Sequence, residues 1–113
     1  MSPIPELQQR QIDRWCERRV PVGRRDETKV ISRWRGRTVT LVEKHTGWLD
    51  GGGGKERPFA QLRYGADALW TLYYWVDAMG WRRYPDSLPE TSPVPLLEDI
   101  DRSPLSGYFF ATW

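Results

Sequence analysis

Leu69–Tyr84, LWTLYYWVDAMGWRRY, is the stretch whose reading decides the fold. It gathers six of the chain's fifteen aromatic residues into sixteen positions. The pattern reads as a β-hairpin: a strand of alternating bulky residues, a turn at Asp77-Ala78-Met79-Gly80, and a short return strand from Trp81 to Tyr84. Successive side chains on a strand point to opposite faces. Leu69, Thr71, Tyr73 and Trp75 therefore share one face, and Trp70, Leu72, Tyr74 and Val76 the other. The second set is the more apolar and is assigned to the core. A buried aromatic removes roughly 150–250 Å² from water, worth on the order of 4–6 kcal/mol gross per ring as an upper bound. Few other segments offer as much. The first set still carries Tyr73 and Trp75, more aromatic surface than a solvated face requires. Either a helix, a tail or a second subunit covers it, or it binds something flat.

Outward from the hairpin, the chain has the size of one domain, spanning residues 1–113. Hydrophobic residues make up 39% and charged residues 28%, a globular rather than a disordered composition. The net charge of +2 does not by itself mark a nucleic-acid binder, but its distribution is uneven. Residues 1–44 carry eleven Lys and Arg against six Asp and Glu, whereas residues 45–113 carry six against nine. The single cysteine, Cys16, allows no internal disulfide and suits a reducing compartment. The N-terminus lacks the apolar core of a signal peptide, and no apolar run is long enough to span a bilayer. A cytoplasmic protein is expected.

Ser2-Pro3-Ile4-Pro5-Glu6 reads as a helix entry, with Pro in the first turn and Glu6 at the positive end of the helix dipole. The helix is expected over residues 5–19, with Ile12, Trp15, Cys16 and Arg19 on one face and Leu7 at its edge. Val20-Pro21-Val22-Gly23 ends it. Strands are expected at 28–34 and 38–44 around Arg35-Gly36-Arg37, with Val30, Ser32 and Trp34 on one side of the first and Val39 and Leu41 on one side of the second. His45–Glu56, with its four glycines, is assigned to a mobile loop. A strand at 58–64 places Ala60, Leu62 and Tyr64 on one face, and the hairpin strands follow at 69–76 and 81–84. Pro85, Pro89, Pro93 and Pro95 mark an extended strap. A short acidic helix at 95–101 buries Leu96, Leu97 and Ile100, and Ser103-Pro104 stops it. The aromatic tail Tyr108–Trp113 is expected to dock on the sheet. The fold class is α+β: an antiparallel β-meander of about five strands, an N-terminal helix packed on one face, and a short C-terminal helix.

The segments Ile4-Pro5-Glu6-Leu7, Trp15–Pro21, Val39–Glu43, Ala60–Tyr64, Trp70–Tyr73 and Leu96–Asp101 occur in an order that resembles a bacterial family of small domains of unknown function, number 3024. The resemblance covers nearly the whole chain. It implies a compact, single-domain bacterial protein and carries no activity with it. Three departures stand out. Tyr74 looks like an extra residue between Tyr73 and Trp75, which would make a β-bulge. Arg82 stands where a histidine is common, which argues against catalysis depending on that position. The ending after Pro104 is longer and more aromatic.

Chemistry-bearing patterns are sparse. Cys16, Glu43, His45 and Asp50 are the only mixed metal-ligand candidates, and they lack the close spacings of a zinc site. Gly51–Gly54 with Lys55 superficially matches a phosphate loop, but Leu49 stands where the first glycine is required and Glu56 where Ser or Thr is. His45 has no serine or cysteine partner within reach in sequence. Glu98, Asp99 and Asp101 read as a solvated helix face. No catalytic residue, cofactor or metal is assigned.

Two binding functions remain. Trp, Tyr and Arg are enriched at protein-binding hot spots, so a non-enzymatic binding or protein-interaction module, with another protein or a second copy of the chain as partner, is the first expectation. The alternative is a binder of single-stranded or structured nucleic acid. For that role Arg33, Arg35, Arg37, Arg82 and Arg83 would supply charge, and Tyr73, Trp75 and Trp81 stacking surfaces.

Overall fold

The computed structural model describes residues 4–19, 28–45, 55–76, 78–85 and 87–102. Helix α1 (Glu6–Arg19) is followed by strands β1 (Thr28–Arg35), β2 (Thr38–His45), β3 (Lys55–Tyr64), β4 (Trp70–Val76) and β5 (Gly80–Arg83), and then by helix α2 (Val94–Asp101). The strands form one antiparallel sheet in chain order, β1-β2-β3-β4-β5. This is the α+β meander expected from the sequence.

Hairpin geometry follows from local chemistry. β1 and β2 pair up to Arg35 and Thr38, leaving Gly36 and Arg37 as a two-residue loop. Gly36 has φ 59°, and glycine at the first central position suits the tight turns that match strand twist. Between β3 and β4, Asp67 accepts the Leu69 N–H at 3.2 Å, and Gly65 donates to the Leu69 carbonyl at 2.9 Å. After β5 the chain runs back beside β4. The Tyr84 N–H bonds the Leu72 carbonyl at 2.9 Å, and Trp70 and Glu90 exchange backbone bonds of 2.7 and 3.0 Å.

One face of the sheet is packed. Ile12, Trp15 and Cys16 of α1 and Leu96, Leu97 and Ile100 of α2 join Val30, Val39, Leu41, Ala60, Leu62, Tyr64, Trp70 and Leu72 in a single core. The assignment of Trp70 and Leu72 to the buried side of the hairpin holds, with Tyr74 packed at the margin. Polar ties fix α1 to this face and the two helices to each other. The Trp70 indole donates to Gln8 at 2.8 Å, the Trp15 indole to Asp101 at 3.1 Å, and Ser32 to Asp13 at 2.6 Å. Ser87, ahead of α2, donates to Asp99 of that helix at 2.6 Å, which anchors the strap.

Four expectations need correction. The bulge lies not at Tyr74, which pairs in register with both Ala60 and Arg82, but in β3, where the pairing steps from Leu41–Ala60 to Val42–Pro58. Phe59 is the extra residue. It is buried in the core, with its ring 6.4 Å from Trp15. His45 and Lys55-Glu56 are not loop: their backbones extend β2 and β3. β5 spans Gly80–Arg83 and stops before Tyr84. Leu7 is not at the edge of the buried face but 68% exposed. The helix end at Val20–Gly23, the glycine run, the Ser103-Pro104 stop and the aromatic tail lie outside the described residues.

Candidate binding face

Strand pairing carries one face across the whole sheet, because directly paired residues project to the same side. Opposite the packed face, β1 presents Lys29, Ile31, Arg33 and Arg35, and β2 presents Thr38, Thr40, Val42 and Lys44. β3 adds Glu56, Pro58, Gln61 and Arg63; β4 adds Thr71, Tyr73 and Trp75; β5 adds Trp81 and Arg83. Both helices pack on the other side, so this face is open among the described residues. Among the described residues it carries six cationic side chains, Lys29, Arg33, Arg35, Lys44, Arg63 and Arg83, against the single carboxylate of Glu56.

The face is divided into rows. Arg33, Thr40, Gln61, Tyr73 and Arg83 lie side by side across all five strands. Next to this polar row, Ile31, Val42 and Pro58 pair in turn, and Trp75 pairs with Trp81, forming an apolar stripe. The Trp75 and Trp81 rings meet at 73° with centroids 5.3 Å apart, and Trp75 is 39% exposed. Val42 is only 3% exposed although it points away from the core. A shallow, open hollow of about 550 Å³ is lined by Arg33, Arg35, Thr40, Val42, Glu56, Pro58 and Trp81, with Trp34. It thus runs from the first strand to the last.

Within the polar row the side chains hold one another. The Arg63 guanidinium lies 3.9 Å from the centroid of the Tyr73 ring and donates from Nε to Gln61 Oε1 at 2.7 Å. Gln61 in turn donates to the Thr40 hydroxyl at 3.0 Å. Arg33 reaches Glu56 at 2.6 Å, an ion pair with both partners partly in solvent. Such pairs contribute about 0–1 kcal/mol, so Arg33 can exchange Glu56 for another anion at little cost.

Six of the eight residues singled out in the sequence come together here: Arg33, Arg35, Tyr73, Trp75, Trp81 and Arg83. Two do not. Arg82 pairs with Tyr74 and so belongs to the opposite side. Arg37 sits in the β1–β2 turn, where its guanidinium lies 6.0 Å from the centroid of the Tyr64 ring of the packed face. Arg63, Gln61, Lys29 and Lys44 join the face without being among those eight. The signal for Arg63 and Gln61 was present, since assigning Ala60, Leu62 and Tyr64 to the core leaves both on the open side.

A second polar group ties the helices together on the packed face. Arg19 pairs with Asp101 at 2.8 Å and lies over the Trp15 ring, 5.4 Å from its centroid. Burial lowers the pKa of Arg19, while Asp101 and Glu43 support its charge. Glu43, 1% exposed, stands 3.8 Å from Arg57. The acidic residues of α2 are engaged too, Glu98 and Asp99 with Arg102 and Asp101 with Arg19. Among the described residues, no three His, Cys, Asp or Glu side chains converge on a point that would hold a metal ion.

The fold and this face define a small α+β domain whose sheet, among the described residues, is packed by helices on one side and is cationic and aromatic on the other. The chain belongs to the family described as Domain of unknown function (DUF3024), whose model matches residues 1–110. No curated protein and no solved structure matches it. No helix among the described residues is long and apolar enough to cross a membrane.

Proposed function

We propose that this protein is a non-enzymatic binding module that holds single-stranded nucleic acid on the open face of its sheet. The observation that carries the reading is the sharing of one face by Arg33, Arg35, Arg63 and Arg83 with the paired rings of Trp75 and Trp81. A single strand offers a phosphate at each nucleotide and bases whose faces are available for stacking. Proteins that bind single strands without strong sequence preference answer with a cationic groove and aromatic platforms. A protein partner is the second reading, since Trp, Tyr and Arg also make hot spots. The excess of six cations over one carboxylate among the described residues of this face ranks a polyanion ahead of it. The single buried thiol of Cys16 fits a reducing, cytoplasmic setting.

The test is fluorescence anisotropy of a labelled single-stranded oligonucleotide across a salt series. Each phosphate neutralised contributes a slope of about −0.7 in log K against log salt. Four engaged arginines give about −3. Arg33→Ala and Arg83→Ala each weaken binding and flatten that slope by about 0.7. Absence of salt-sensitive binding overturns the reading. A mass that rises with protein concentration in sedimentation would then favour the interaction module, with a second copy as partner.

A further inference from the structure

Resting on the reading above, we propose that the open face selects its strand by one stacked base, held in the corner between Trp81 and Trp75, and that Tyr73 is not a stacking platform. The two tryptophan rings stand nearly edge to face, at 73° and 5.3 Å. A base laid against one ring therefore meets the other at its rim. Trp81 also lines the hollow whose floor includes Val42 and Pro58 and whose far side is Arg33 and Arg35. The apolar floor suits the plane of a base, and the two guanidinium groups stand where the flanking phosphates of the same strand would pass. At about 550 Å³ the hollow falls within the size range of small-ligand sites.

Tyr73 differs although it lies on the same face. Its ring is occupied by the Arg63 guanidinium at 3.9 Å, which Gln61 holds from the side at 2.7 Å. Thr40 accepts from Gln61 at 3.0 Å, so the whole arrangement would have to open before a base could stack there. The sequence offers Tyr73, Trp75 and Trp81 as equivalent rings; the geometry points to one composite site instead of three.

Two labelled ligands of equal length and charge separate base from phosphate: a strand of ten deoxythymidines, and a strand of ten abasic units. The wild-type protein binds the thymidine strand more tightly, by a factor of roughly 5 to 150, the range for one base–aromatic stack. Trp81→Ala brings that ratio close to one. Trp81→Phe, which keeps a ring, retains most of the ratio, and Tyr73→Ala leaves it unchanged. Tryptophan fluorescence of the unaltered protein is quenched by the thymidine strand and not by the abasic one. Equal wild-type affinities for the two ligands overturn the stacking site while the electrostatic binding reading stands. Loss of the ratio in Tyr73→Ala but not in Trp81→Ala overturns it as well. Binding of neither ligand overturns both.

Discussion

Ala78, at the tip of the β4–β5 hairpin, has φ 71°, a left-handed conformation in which its Cβ is crowded. An L-residue pays about 1–2 kcal/mol there, and glycine, which does not, gives back about 0.4–1 kcal/mol through its freer unfolded state. Ala78→Gly is therefore expected to raise stability by up to about 1 kcal/mol, read as a higher urea midpoint with unchanged m; a lower midpoint would contradict the turn geometry. Cys16 makes a second case at this scale. Burial first, then the charges of Asp13 and Glu17, push its thiol pKa up to about 12. The thiol is thus inert in the folded chain at neutral pH and should react with a thiol reagent only on unfolding. The linkage has a definite sign. The folded pKa is above the unfolded one, near 8.5, so the cost of ionising Cys16 is absent below about pH 8.5 and stability falls as pH climbs from there toward about 12. The slope approaches about 1.4 kcal/mol per pH unit. Cys16→Ala should remove that part of the slope; identical alkaline profiles for the two proteins would contradict it.

At the scale of elements, alternation in the sequence made most of the sheet legible. Once Trp70 and Leu72 are assigned to the core, the pairing of neighbouring strands carries the same side through Leu62, Val39 and Trp34. Where alternation breaks, the reading failed. The β3 bulge puts Phe59 and Ala60, adjacent in sequence, into the same core, and only the register with β2 reveals which residue is extra. Phe59→Ala should cost about 3–5 kcal/mol, because the ring fills space against Trp15 that its neighbours cannot close. Leu7→Ala, on the exposed side of α1, should stay within about 0.5 kcal/mol. Denaturant titrations that ranked these two equally would contradict the placement of the core.

For the whole molecule, the open face was partly legible. Arg82 and Arg83 are adjacent on one strand, so they could not both face the same way. Arg37 would have followed Arg33 and Arg35 only if the strand ran on, and the turn at Gly36 removes it. What the sequence could not show is which partner each cation meets, since Arg33–Glu56 and Arg63–Tyr73 join different strands. The molecule also supplies its own control, because the tryptophans among the described residues are divided between the two faces. The indole N–H groups of Trp15 and Trp70 are bonded to Asp101 and Gln8 on the packed side, while Trp75 and Trp81 lie on the open side. The most direct test is a proton–nitrogen correlation spectrum of the ¹⁵N-labelled protein titrated with a single-stranded oligonucleotide. The Trp75 and Trp81 indole signals should move with saturation, and those of Trp15 and Trp70 should stay where they are. Unmoved indoles throughout, or shifts confined to Trp15 and Trp70, would contradict the account.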